Sequence, residues 1–374
     1  MPVHAYIDIS LSCPLKCKYC FVKKESKFLS LDRAREFFEY LSDLGIQSVQ
    51  LSGGEPFTNE RISEICELAC EYFDGVYIVT SAYFNDRIKT VEGTVDGISL
   101  SADYFGSRHD EYRGVKGLFK KVISTLINYP FASLRTTIFN DNLRDIERYL
   151  SIVKYPDKTL GVERDIFYAL VPVKIFAERS PSGSQVLHIL DIVFRENLVD
   201  RVIVDHPSVR LFYAFMVGAF KGEAITENIK CSACEKWVYV DINGVIRGCP
   251  FKPVPVGKIG MNLDELKENL KKVRKKEYES YIPQVCLNCP FRNICGGCPA
   301  SSNKECVIKA IFSNIALPVE TIRLVHKRGG GERDFIDMAM DVANVIPKFI
   351  NVKDTHLSEA KKILELYSCG VPRC

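Results

Sequence analysis

The chain has 374 residues, 47% of them hydrophobic, and its 50 basic and 47 acidic residues leave a formal net charge of +3. That length suits about two domains with their own cores, and so even a charge balance argues against a nucleic-acid partner or an acidic membrane surface. The opening residues lack a signal sequence and no apolar run approaches membrane length, so a cytoplasmic location is expected, where the 15 cysteines stay reduced and serve metals rather than disulfides.

A strand-like run, Ala5 to Ser10, leads straight into Cys13-Pro-Leu-Lys-Cys17-Lys-Tyr-Cys20. Three thiolates in one short loop leave a four-iron cluster with one iron open to a ligand, whereas four would close it for electron transfer. Zinc would want a fourth nearby Cys or His, and the local candidate, His4, lies on the far side of the strand run. To about residue 172, strand-length apolar runs alternate with helical periods, the pattern of βα units around a parallel sheet. Strands are expected at Ala5 to Ser10, Ser48 to Ser52, Gly75 to Thr80, Gly97 to Ser101, Leu134 to Phe139 and Ile166 to Val171. Helices are expected at Leu31 to Leu44, Arg61 to Tyr72, Val115 to Ile127 and Asn142 to Val153. Six such units predict an α/β fold, a (βα)6 partial barrel of the TIM type.

The second strand ends in Gly53-Gly54-Glu55-Pro56, where glycines allow close backbone approach to a small polar ligand and a carboxylate can meet an ammonium. Cys66 and Cys70 are four apart on a helix and share a face, where buried thiols are the default. After the fourth strand, His109 and Arg113 read as loop scaffolding and helix capping. Ser-Pro-Ser-Gly-Ser near residue 182 marks an exit from the repeat, and a helical bridging segment over 176–228 is expected, with the aromatics of Leu211 to Phe220 as packing surface.

Cysteine returns at Cys231, Cys234, Cys249, Cys286, Cys289, Cys295, Cys298 and Cys306. Val238 to Arg247 predicts a hairpin, with Asn243-Gly244 supplying both positive-φ positions of a type I′ turn and bringing Cys234 and Cys249 to one end. Eight thiolates suit two fully ligated clusters, though spacing alone would equally put Cys286, Cys289, Cys295 and Cys298 on one zinc. Lys271 to Lys276 reads as a solvated helix face. A helical tail over 311–374 ends in Cys369 and Cys374, which could be a mobile pair, a redox couple or metal ligands.

Together, Cys13, Cys17, Cys20 and the Gly53 to Pro56 turn resemble the radical S-adenosylmethionine (SAM) superfamily, with Tyr19 as the aromatic residue before the last cysteine. The resemblance implies a partial barrel over 1–175 in which Gly53, Gly54 and Glu55 hold the amino group of SAM and Ser99 or Asp103 meets its ribose. It also implies reductive cleavage of SAM to a 5′-deoxyadenosyl radical, fed by a low-potential donor of ferredoxin or flavodoxin type. Residues 229–310 resemble the SPASM domain. That implies two auxiliary [4Fe-4S] clusters, one on Cys231, Cys234, Cys249 and Cys298 and the other on Cys286, Cys289, Cys295 and Cys306, making three clusters in all. Relatives of this kind modify peptides or proteins, which is the leading expectation for the substrate. Pro250 stands where sulfatase maturases have an aspartate after the hairpin cysteine, which argues against formylglycine formation. A first strand at about residue 5 leaves no peptide-clasping domain ahead of the barrel, so a leader peptide would need a separate carrier or the tail. The alternative is a tetrapyrrole or other small-molecule substrate, because Cys295-Gly-Gly-Cys298 resembles haem-pathway members. A non-catalytic Fe–S electron carrier is the reading from another class, and it needs neither Glu55 nor an open three-cysteine loop. The sequence names no general base: Asp241 on the hairpin and the tyrosines have no better claim than their neighbours.

Overall fold

The protein is described by a computed structural model that covers residues 1–174, 176–206, 209, 230–287 and 295–300. Cys289, Cys306, Cys369, Cys374, the aromatic run at Leu211 to Phe220 and the helical tail lie outside the described residues.

Seven parallel strands follow the chain: β1 (His4–Ser10), β2 (Ser48–Gly53), β3 (Gly75–Thr80), β4 (Gly97–Ser101), β5 (Ala132–Ile138), β6 (Tyr168–Pro172) and β7 (Val202–Val204). They lie side by side in that order. Their crossovers carry α1 (Leu31–Leu44), α2 (Ile62–Tyr72), α3 (Ser107–Arg113), α4 (Leu118–Asn128), α5 (Leu143–Lys154), α6 (Pro156–Leu160) and α7 (Gly183–Arg195). The first six strands and the principal helices fall where hydrophobic periodicity places them, with ends moved by a few residues. β7 was not anticipated: it lies within the stretch expected to be a helical bridge, and three β-branched residues a short link beyond the end of α7 at Arg195 are enough to pair with β6.

Period-two alternation sorts the strand side chains. Ala5, Ile7 and Ile9, Val49 and Leu51, Val76 and Ile78, and Ile98 and Leu100 join one buried cluster with the apolar stripes of α1, α2, α4, α5 and α7. In α1, Ser30 caps the first turn by accepting from the Arg33 amide, Gly45 ends it at φ 99°, and Ala34, Phe37, Phe38, Leu41 and Leu44 face inward. Each large side chain so buried stabilises the fold by about 1.5–3 kcal/mol. The opposite, helix-free face carries the other residues. Because register partners share a face, Asp8 stands with Ser52, Gln50 with Tyr6 and Tyr77, and Ser99 with Val79 and Ser133.

The sheet continues past β1. β8 (Trp237–Val240) pairs with β1 in parallel, and β9 (Val245–Cys249) and β10 (Lys252–Lys258) follow antiparallel, giving ten strands in one sheet. α8 (Leu263–Val273) packs next to β10 and runs into a wide π turn over Arg274–Glu279. The expected hairpin is present, but its turn differs from the type I′ expectation. Gly244 has φ 81°, while Asn243 keeps a negative φ. The Asp241 carboxylate, accepting from the amides of Asn243 and Val245, fixes a three-residue loop instead, with Gly244 N–H bonded to the Asp241 carbonyl at 2.8 Å. Two further expectations need correcting. Cys66 is buried, but Cys70 is exposed, its thiol directed to the Thr94 carbonyl. Within the basic stretch Lys271 to Lys276, Arg274 is buried.

Candidate cofactor sites at the strand ends

The loop after β1 carries Cys13, Cys17 and Cys20, all partly exposed. It is held by its backbone. The amides of Lys16 and Lys18 donate to the carbonyls of Arg113 and Tyr112 at 2.8 and 3.4 Å, which docks the loop on the end of α3. Gly114, at φ 73°, leaves room for this: a Cβ there would sit 2.9 Å from that of Lys16. Burial pushes the Cys13 thiol up to about 11 and raises that of Cys17 too. Both therefore need a cation to become thiolates near neutral pH.

The turn after β2 is stitched to the same loop. Gly54 N–H donates to the Ser10 carbonyl at 2.7 Å and Glu55 N–H to that of Ser12 at 2.9 Å. Gly53 has φ 126°, and a Cβ on it would lie 2.1 Å from the Ser10 oxygen; one on Gly54 would lie 2.4 Å from the Ser12 oxygen. The close approach that demands glycine is thus made by the chain's own cysteine loop, in addition to any ligand. Glu55 is buried, and its carboxylate is fully engaged. Oε1 accepts from Thr80 Oγ1 at 2.5 Å and the Phe57 amide at 3.3 Å, while Oε2 accepts from the amide of Ser81 at 2.9 Å and from its hydroxyl. Four acceptor positions filled from within make Glu55 a clamp between this turn and the end of β3.

Behind the loop, Tyr19, Asp103 and Arg113 form a buried triad. Asp103 Oδ2 accepts from the Tyr19 hydroxyl at 2.6 Å and from Arg113 Nη2 at 2.6 Å, and Oδ1 accepts from the Thr137 amide at 2.9 Å. Burial alone would raise the Asp103 carboxyl, but the Arg113 guanidinium holds it below the usual range. The triad accounts for Arg113 as a scaffold residue, though not as a helix cap, and occupies the oxygens with which Asp103 would meet a ribose. Ser99 is buried on the helix-free face, 3.3 Å from the Ser133 hydroxyl. His109 is buried against Phe119.

Asp8 was missed as a candidate. It is buried at the seam between β1 and β8, where its carboxylate accepts a short hydrogen bond from Tyr239. Burial raises it from 3.8 to about 6, with the nearby Asp241 adding to the effect and Tyr239 opposing it. Asp241 itself is paired with Arg247 at 2.7 Å. No local motif marks Asp8; the apolar–polar alternation of Ile7-Asp8-Ile9 is the one signal that puts a carboxylate on the helix-free face.

The second cysteine field gathers at the end of the hairpin away from its turn. Cys234 and Cys249 are buried, and Cys231 and Cys298 are partly exposed. Burial raises the Cys249 thiol, and Cys298 and Cys231 raise it further, so residues distant in sequence face one another. Cys234 is likewise raised by burial and by Cys231. Cys234 has φ 63°, a left-handed conformation uncommon for a non-glycine residue. Arg274 holds this turn, donating to the carbonyls of Cys231 and Ala233 at 2.9 and 3.0 Å and pairing with Glu235 and Glu279. Cys286 and Cys295 are buried nearby in sequence to Gly297, whose Cβ would lie 2.8 Å from Cys286 Sγ. The two cysteine regions meet where Phe21 and Phe251 place their rings 4.7 Å apart.

These donor sets suit iron–sulfur clusters. Thiols lifted by burial and by one another become good ligands once cationic iron offsets that cost.

Residues 7–150 match the family described as the Radical SAM superfamily. Among curated proteins, the chain is 24% identical over 325 residues to the AdoMet-dependent heme synthase of Methanosarcina barkeri, covering 78% of this chain and 90% of that protein. It is 24% identical over 328 residues to the antilisterial bacteriocin subtilosin biosynthesis protein AlbA of Bacillus subtilis, covering 80% of this chain and 67% of that one. Among solved structures, anSMEcpe with bound AdoMet and Cp18Cys peptide aligns with a TM-score of 0.58 at 17% identity, over 80% of this chain and 89% of that chain. Streptococcus suis SuiB bound to the precursor peptide SuiA aligns with a TM-score of 0.61 at 16% identity, over 80% and 74%. At such identities the structural likeness establishes the fold. No described helix is long and apolar enough to cross a membrane.

Proposed function

We propose, from the match of residues 7–150 to the radical SAM superfamily, that the chain is a three-cluster enzyme that removes a hydrogen atom from a peptide or protein substrate. When bound, SAM and a reduced cluster on Cys13, Cys17 and Cys20 supply a 5′-deoxyadenosyl radical. The chain's own residues position that chemistry. Gly53 and Gly54 keep the turn beside the cysteine loop, where the methionine end of SAM belongs, and Glu55 keeps the turn fixed. Ser99 is the candidate on the ribose side. The triad of Tyr19, Asp103 and Arg113 anchors the loop. A further cluster on Cys231, Cys234, Cys249 and Cys298 is supported by the mutual influence of those thiols, and it favours this partition over a zinc site on Cys286, Cys289, Cys295 and Cys298. Cys286 and Cys295, with Cys289 and Cys306, would hold the third.

The observation that carries the radical chemistry is the backbone stitching of the Gly53 to Glu55 turn onto the three-cysteine loop. For the substrate, support comes from the bacteriocin-maturing relative and from the fold shared with peptide-bound structures. A tetrapyrrole is the second reading, favoured by the heme synthase relative, which is matched over 90% of its length. Anaerobically reconstituted protein should bind about twelve irons, as three four-iron clusters require, and yield 5′-deoxyadenosine from SAM under a low-potential reductant such as reduced ferredoxin or flavodoxin. Protein with its iron in place and no such product would overturn the proposal. Stimulation of the reaction by a peptide encoded beside the gene supports the first substrate, and stimulation by an iron porphyrin the second.

A further inference from the structure

Tyr278 projects from the π turn into the Cys231 to Cys249 field. Tyr278 is 2% exposed, and its hydroxyl has no hydrogen-bond partner among the described residues. Buried hydroxyls are seldom left so. A Cβ built on Gly248 would lie 2.4 Å from Cys234 Sγ and 2.6 Å from the Tyr278 hydroxyl, so sulfur and oxygen border the same small volume. Gly248 keeps that volume clear. In the wide turn Ser280 N–H reaches back to the Lys275 carbonyl at 3.0 Å, and Arg274 and Tyr278, four residues apart on the side that Leu266 and Leu270 begin, both face inward. The two then divide the work, since Arg274 takes the carbonyls of the cysteine turn and leaves the sulfur side to the hydroxyl.

We infer that the Tyr278 hydroxyl donates a hydrogen bond to sulfur of the auxiliary cluster held by Cys231, Cys234, Cys249 and Cys298, a role that rests on the cluster assignment proposed above. Tyr278 is a tuning residue that touches the cluster and not the substrate. A hydrogen bond to cluster sulfur favours the more negative, reduced state and so raises the reduction potential.

The test uses the reconstituted holoenzyme in an anaerobic potentiometric titration followed by EPR, with the signal missing from Cys234→Ala marking this cluster. Tyr278→Phe keeps the ring and should retain the iron. It should shift the reduced-to-oxidised ratio about tenfold at fixed potential, equivalent to a midpoint lower by about 59 mV for one electron. Wild-type protein should also show an exchangeable proton coupled to this cluster by ENDOR, absent after exchange into D2O and absent from Tyr278→Phe. An unchanged midpoint, or no such proton in the wild type, overturns the inference while the cluster assignment stands. If no wild-type signal depends on Cys234, both fall together.

Discussion

Cys13, Cys17 and Cys20 come from one loop and stay partly exposed, whereas Cys231, Cys234, Cys249 and Cys298 come from separate segments and two of them are buried. Each region is organised by one buried arginine, used differently. Arg113 neutralises a buried carboxylate behind the loop, while Arg274 binds the carbonyls of the cysteine turn directly. An iron that must bind a cofactor needs an accessible rim, and the rim can be encoded locally. The second region buries two of its four cysteines, and that burial draws on distant parts of the chain.

The sharpest attempt to break this comparison is replacement of Cys13, Cys17 and Cys20 by alanine together. SAM cleavage should be abolished, and iron should fall by about a third; loss of all iron would show that the two regions do not load independently. Next comes Arg113→Met, which strands the Asp103 carboxylate and should destabilise the protein by about 3–5 kcal/mol in urea unfolding, with the loss of iron confined to the first cluster. Arg274→Met should reverse that pattern of iron loss.

Asp8 tests the seam between the regions. Its folded pKa, about 6, lies above the unfolded value of 3.8, so the protonated form is the one favoured by folding. The associated stability is complete below about pH 4 and is lost as pH rises through about 6, a change of about 3 kcal/mol. Asp8→Asn should remove this slope, so that the difference in unfolding free energy between the two proteins moves by that amount between pH 4 and 7. A constant difference would place Asp8 in contact with water. The smallest effect is expected from Gly53→Ala, about 1–3 kcal/mol from the clash with the Ser10 carbonyl, together with weaker SAM binding by calorimetry.

Much of the first region was legible in the sequence because its signals are local. Strand β1, the cysteine loop, the Gly53-Gly54 turn and helix α1 with its Ser30 and Gly45 caps each lie within a few residues of their own cues. What the glycines approach was not legible, since the partner carbonyls of Ser10 and Ser12 are reached only after a complete βα crossover. The second region gave up its cysteines and its hairpin but hid its supports. Arg274 lies in a lysine-rich stretch whose composition reads as a solvated face, yet it and Tyr278 follow the buried Leu266 and Leu270 at four-residue spacing. The Asp8–Tyr239 pair was likewise invisible, because it exists through the pairing of β8 with β1. β7 was too short for its alternation to stand out from the helix before it.

That pairing of β8 with β1 also sets a timetable. β1 leaves the ribosome long before the neighbour on its outer edge, which begins at Trp237. At a synthesis rate of roughly 5–20 residues per second, that edge stays unpaired for on the order of 10–50 seconds. Throughout that interval the loop carrying Cys13, Cys17 and Cys20 hangs from a half-finished sheet, its thiols open to oxygen and stray metal. The open edge and the unmetallated loop therefore share one window of vulnerability, which ends for the edge when β8 pairs with β1.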